Sequence, residues 1–149
     1  MSLVQVTDLV KHFPVRGGVL NRVVGRVHAV NGVNFEIRRG ETLGVVGESG
    51  CGKSTLGKCM LRLHEPTSGS IRFDGKEITG LSHQEMMVFR RRMQIIFQDP
   101  YSSLNPRLTI RALLREAIRF LGVVPPEAVD ETIIELIRTV GLRPDAADK

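Results

Sequence analysis

Apolar and polar positions change their period several times along the chain. Residues 3–10 mix Val and Leu with polar neighbours, which predicts a strand. Gly17-Gly18 opens a polar, glycine-containing stretch to about Arg26, which predicts a surface loop. Val33, Phe35 and Ile37 alternate, so residues 27–37 predict a second strand, and Arg39-Gly40 marks a turn. Residues 42–46 form a short apolar run ending at Gly47, the pattern of a buried strand. From Lys53 the spacing becomes helical: Leu56, Cys59, Met60 and Leu63 recur on one face until Pro66 stops the run. Ile71-Arg72-Phe73 alternates, and Asp74-Gly75 predicts a hairpin turn into residues 76–78. Ser82, with Glu85 three residues on, predicts a capping box and a helix to about Arg91. Residues 94–97 read as a short apolar strand.

The last third is helical. Ile110, Leu113, Leu114, Ala117, Ile118 and Leu121 make one apolar stripe, with Thr109 as N-cap and Gly122 just past its end. Pro125-Pro126 breaks the chain. Val129, Ile133, Leu136, Ile137 and Val140 make a second stripe, ended by Gly141. Both stripes read as packing faces. No internal repeat and no low-complexity segment is present.

Composition narrows the class. The chain has 149 residues, 42% hydrophobic and 25% charged, which suits one small globular domain. No run approaches the ~18 apolar residues of a membrane span. The N-terminus has no basic head followed by an apolar block, so no signal peptide is read and a cytoplasmic chain is expected. Cys51 and Cys59 are too few for a disulfide framework and read as small packing thiols. The net charge of +5 raises nucleic acid or an anionic membrane as partners. The cations are scattered, however, and the densest run, Arg90-Arg91-Arg92, lacks interleaved aromatics. It reads as a solvated helix end, and no nucleic-acid partner is expected.

The strongest chemistry lies between the first apolar run and the first helix. Gly47-Glu48-Ser49-Gly50-Cys51-Gly52-Lys53-Ser54 fits G-x-x-x-x-G-K-[ST] in full. Such a loop must turn its backbone N–H groups inward around phosphates. Gly50 and Gly52 remove side chains that would block that approach and permit unusual φ. A helix opening at Lys53 aims unpaired N–H groups and its positive dipole end at the anion. Lys53 can reach β- and γ-phosphates, Ser54 can bind Mg²⁺, and Thr55 can add a phosphate contact. The ligand expected is ATP with Mg²⁺.

Further motifs extend the P-loop into a family pattern. Residues 47–55, then Glu65-Pro66-Thr67-Ser68-Gly69, Phe73-Asp74-Gly75 and Ile95-Ile96-Phe97-Gln98-Asp99-Pro100, together resemble the ATP-binding subunit of ABC transporters. His28-Ala29-Val30-Asn31-Gly32-Val33 and Tyr101-Ser102-Ser103-Leu104-Asn105-Pro106 resemble the oligopeptide/dipeptide import branch, and the resemblance runs from Leu3 to Lys149. It implies an α/β fold: a P-loop NTPase core with an N-terminal antiparallel β subdomain over residues 1–99 and the start of an α-helical subdomain over 100–149. It implies that Phe13 stacks on adenine, although Phe13 also reads as a packing residue. It implies that Gln98 touches Mg²⁺ and the attacking water, as a catalytic residue beside Lys53. Residues 101–104 correspond to the surface on which a permease helix docks. The partners implied are two membrane permease subunits, a second ATP-binding subunit and, indirectly, an extracytoplasmic peptide-binding protein. The place implied is the cytoplasmic face of the membrane.

Phosphoryl transfer to water also needs a metal-binding carboxylate and a group that orients the water. In this family they come from a Walker B strand ending in Asp-Glu, a switch histidine and an LSGGQ-type signature. Leu81-Ser82-His83-Gln84-Glu85 lacks the paired glycines, and Ile133-Ile134-Glu135 sits on a helical stripe. Asp99 after residues 95–98 has something of a Walker B carboxylate, but the run is short, Gln98 intervenes and Pro100 follows. The expectation is the N-terminal part of such a subunit, which binds nucleotide and by itself hydrolyses it slowly or not at all. A soluble ABC-type ATPase or ATP-binding module unconnected to transport is the alternative.

Overall fold

The computed structural model describes residues 2–18, 21–99 and 103–149. The chain divides into two compact units, Met1–Gln94 and Ile95–Lys149.

The first unit is built on a four-stranded antiparallel sheet of order β2-β1-β3-β4. Its strands are β1 (Ser2–Gly17), β2 (Arg22–Arg38), β3 (Ser68–Phe73) and β4 (Lys76–Glu77). Helix α1 (Lys53–Met60) and helix α2 (His83–Arg90) complete it. Val4, Val6 and Leu9 from β1, Val30 from β2, and Ile71 and Phe73 from β3 bury one sheet face against Leu56 and Cys59 of α1 and Met86 of α2. Burial pushes the Cys59 thiol up, and the nearby charge of Lys11 pulls against it, so this cysteine is a packing residue.

Local chemistry sets the turns. Asp74 and Gly75 both have positive φ, 52° and 76°, which turns β3 into β4. The Ser82 hydroxyl accepts from the Glu85 N–H while the Glu85 carboxylate accepts from the Ser82 N–H, so the capping box forms. Asp74 receives Arg39 at 2.5 Å and Arg92 at 2.7 Å, and the Arg92 guanidinium lies 4.9 Å over the Phe73 ring. Part of the arginine run is therefore engaged on the sheet. The Arg62 side chain, only 9% exposed, donates to the carbonyls of Ile78, Thr79 and Leu81 and ties the end of α1 to the segment before α2.

The second unit holds α3 (Ile110–Leu121) and α4 (Val129–Thr139). Ile118 packs with Val129, Ile133, Ile137 and Ala147. Thr109 caps α3 by accepting from the Ala112 N–H, and Gly122 closes it in the left-handed region at φ 58°. Arg111 forks onto Asp148 at 2.7 and 3.1 Å.

Three local expectations need correction. Residues 42–46 are not a strand, and Val46 is 91% exposed. Residues 94–97 are not a strand either, and Ile96 is 92% exposed. Apolar character favours burial, but a strand exists only where a neighbour satisfies its N–H and C=O groups. No strand among the described residues pairs with either run. Finally, the loop expected from Gly17 to Arg26 is mostly strand. β1 and β2 form a long hairpin in which His12 faces His28, Phe13 faces Val27 and Pro14 faces Arg26. Cross-strand pairs of β-branched and aromatic side chains hold it extended despite its glycines.

Candidate functional site: a glycine-rich loop at the head of helix α1

The loop from Gly47 to Gly52 leaves the exposed apolar run and enters α1 directly. Gly47, Gly50 and Gly52 have φ of 154°, 84° and 96°, a region open to glycine at little cost. At Gly52 a second constraint applies, because a Cβ there would stand 2.0 Å from the Ala29 carbonyl oxygen on β2. At Gly47 a Cβ would stand 2.7 Å from the Cys51 Sγ. The loop thus packs against the edge of the sheet and against itself by omitting side chains.

Helix α1 begins at Lys53 with Gly52 as N-cap, and no side chain caps it. Its first turn contains no acidic residue. The N–H groups of a helix's first turn lack intrahelical partners, and the dipole makes that end positive. Lys53 adds a full charge: its Nζ donates to the Gly47 carbonyl at 2.8 Å and the Glu48 carbonyl at 2.7 Å, and stands 3.6 Å from the Cys51 Sγ. Ser54 is exposed and Thr55 half-buried on the same first turn. Beside the loop lies a cavity of about 360 Å³, lined by His28, Val30, Asn31, Val46, Cys51 and Lys53 among others. The donor set suits a polyphosphate: the N–H groups of an uncapped helix head, one ammonium, no competing carboxylate in the helix turn and glycines where an anion must approach backbone. A hard oxygen ligand for a divalent cation is present in the Ser54 hydroxyl.

Two further expected site residues are Phe13 and Gln98. Phe13 lies on β1, half-buried, with its ring edge-on to His64 at 5.4 Å and the Lys11 Nζ 4.8 Å over its face. Gln98 is an exposed residue of the second unit. The permease-docking stretch expected at 101–104 begins with Tyr101 and Ser102, which lie outside the described residues. One contribution had no signal of its own in the sequence: the Ala29 carbonyl meets the loop because β2 runs past it, and His28 and Asn31 of the same strand line the cavity beside it.

The ABC transporter family profile matches residues 30–149, which takes in the whole loop and both α-helices of each unit. The chain belongs to the ABC transporter family. As a member of that family it is 44% identical over 149 residues to an oligopeptide transport ATP-binding protein of Bacillus subtilis, a match covering 99% of this chain and 45% of that protein. It is 46% identical over 145 residues to a glutathione import ATP-binding protein of Pectobacterium atrosepticum, covering 97% of this chain and 23% of that one. This ABC transporter chain therefore spans less than half the length of the curated relatives it matches. Among solved structures it is similar to a dimeric ATP-binding cassette in a post-hydrolysis state bound to ADP and Pi. That match has TM-score 0.74 and 25% identity, and covers 97% of this chain and 60% of the other. The likeness gives the antiparallel sheet and its helices their place in the P-loop cassette fold.

Proposed function

We propose that this chain carries the phosphate-binding part of an ATP-binding subunit that drives the import of peptides. One observation carries the reading: the uncapped, acid-free head of α1 follows a positive-φ glycine loop, with the Lys53 ammonium held on that loop's carbonyls. Relatives named for oligopeptide transport and glutathione import support the class of cargo.

In this reading Gly47, Glu48, Ser49, Gly50, Cys51 and Gly52 offer backbone to the phosphates of ATP. Lys53 neutralises the β- and γ-phosphates, and Thr55 adds a hydroxyl. Ser54 and Gln98 hold Mg²⁺, which when bound supplies charge neutralisation to the phosphates. Phe13 stacks on the base, and Gln98 orients water and couples the site to the permeases. Residues 1–99 form the β subdomain and P-loop core, and residues 100–149 begin the helical subdomain. A second ATP-binding subunit, two permease subunits and an extracytoplasmic peptide-binding protein complete the importer, with this chain peripheral on the cytoplasmic face. No helix among the described residues is long and apolar enough to cross a membrane, which fits a peripheral role. No long apolar run ending in Asp-Glu and no LSGGQ-type stretch occurs in the 149 residues. The 149-residue chain by itself is thus proposed to bind nucleotide without appreciable turnover.

Co-expression with a permease pair of the peptide-import class tests the transport role. Co-purification with the permeases is the expected result, and failure to recover either permease contradicts it. Steady-state phosphate release tests the catalytic part. Turnover that survives in the isolated chain and depends on Asp99 would contradict the binding-only reading.

A further inference from the structure

The segment between α1 and β3 lies along β1. The His64 N–H donates to the Lys58 carbonyl at 3.2 Å, so the segment hangs from the last turn of α1. The Thr67 N–H donates to the Val10 carbonyl at 2.8 Å, and the His12 N–H donates to the Thr67 hydroxyl at 2.9 Å. The last pair of β1 with β3, Val10 with Ser68, adjoins these bonds. Residues 64–67 therefore tie the end of the P-loop helix to residues 10–12 of β1.

Two side chains use that tie to hold a ring. The Lys11 Nζ donates to the Glu65 carbonyl at 2.7 Å and stands over the Phe13 ring, 4.8 Å from its centroid. The His64 ring lies nearly perpendicular to Phe13, at 85°, with centroids 5.4 Å apart. Lys11, Phe13 and His64 are each half-buried. A lysine on a strand ordinarily keeps its ammonium in water, and fixing its long stem costs rotamer entropy. Here the ammonium is fixed at a main-chain carbonyl and over an aromatic face, where a cation is attracted by the ring. A half-buried phenylalanine without such neighbours exchanges among staggered χ1 wells.

A side chain that must be ordered when a ligand arrives weakens the affinity, and one already held does not. We propose that Lys11 is a positioning residue for nucleotide binding. With His64 it holds the Phe13 ring in the orientation that stacks on the base, and it does not touch the base itself. The proposal rests on the reading that Phe13 stacks on the base of ATP. It makes the base platform and the phosphate loop parts of one frame, because His64 hangs from the helix whose head receives the phosphates.

The test is equilibrium titration of the 149-residue chain with Mg²⁺-ATP and with Mg²⁺-tripolyphosphate, which has the phosphates and no base. The readout is the ratio of the two affinities, and melting curves check that each variant folds. Phe13→Ala should lower the ratio about fivefold or more, as the loss of a stacked base does. Lys11→Met should lower it about two- to tenfold, the cost of leaving one side chain to be ordered by the ligand, with tripolyphosphate affinity unchanged. Lys11→Arg, which keeps a cation over the ring, should restore most of the ratio. Lys11→Met added to Phe13→Ala should cause no further loss, because the lysine acts through the ring. An unchanged ratio in Lys11→Met, equal weakening toward both ligands, no rescue by Lys11→Arg, or a further loss in the double variant would overturn the proposal. Any of these beside a lowered ratio in Phe13→Ala would leave the base-stacking reading standing. An unchanged ratio in Phe13→Ala would overturn that reading and the proposal with it.

Discussion

Gly52 and Ala29 meet backbone to backbone: a Cβ on the glycine would stand 2.0 Å from the alanine carbonyl oxygen, at a φ of 96°. The head of α1 is thereby seated on the edge of β2. Gly52→Ala should displace the loop, costing about 1–3 kcal/mol for the backbone conformation alone and more for the overlap. Thermal unfolding and nucleotide binding should both suffer. A variant with native melting temperature and native affinity would show that the loop does not rest on Ala29.

A second close approach organises the sheet. Gly69 on β3, at φ 95°, leaves a would-be Cβ 2.4 Å from the Asp8 carbonyl oxygen, where β1 bulges between Val6 and Leu9. Asp8 itself has a φ of 46°, and its N–H donates to the Asn34 Oδ1 at 2.8 Å while the Asn34 Nδ2 donates to the Asp8 carboxylate at 3.0 Å. Asn34→Ala should lower stability by about 1–2 kcal/mol, read by chemical denaturation. No change would mean that the bulge holds itself.

Arg62 is a half-buried residue whose guanidinium is largely covered, and three carbonyls accept from it. Arg62→Ala should cost about 1–3 kcal/mol, because part-buried acceptors lose a charged donor. Hydrogen exchange should rise at residues 78–82 before it rises in β1. Uniform exchange across the unit would contradict a local role.

Much of this was legible from short-range chemistry. Caps at Ser82 and Thr109, the left-handed stop at Gly122 and the Asp74-Gly75 turn each depend on residues within a few positions, so the sequence displays them. The loop glycines are visible as a spacing, and their positive φ values follow. Residues 42–46 and 94–97 were not legible, because a strand is a property of two segments and apolarity describes one. The extension of β1 to Gly17 was missed for the converse reason: its glycines signal a turn locally, but cross-strand pairs such as His12 with His28 keep the ribbon extended. The Ala29 contact has no sequence signal, since it is made by a carbonyl.

Glu77 supplies a pH dependence. Burial pushes its carboxyl up, but donors from the Ser70 and Thr79 hydroxyls and the Thr79 and Ile71 N–H groups outweigh that and bring it to about 2. A carboxyl held below its unfolded value of about 4.3 stabilises the fold above that pH. The contribution fades as pH falls toward 2. The side chain is 43% exposed, so solvent screening keeps the effect small. Glu77→Gln should melt about 2 °C below the native chain at pH 7, with the gap closing as pH drops through 4 toward 3. A gap that stays constant with pH would mean the carboxylate charge is not what those donors favour.

We propose that the loop and the head of α1 hold the phosphates of Mg²⁺-ATP. The most direct measurement is equilibrium titration of the 149-residue chain with Mg²⁺-ATP beside Lys53→Ala, with folding of both checked by circular dichroism. Removing a charge-assisted phosphate contact should weaken binding by about tenfold to a hundredfold, while adenosine, which has no phosphate, should bind neither protein measurably. Equal affinity of a folded Lys53→Ala variant and the native chain for Mg²⁺-ATP would contradict the account.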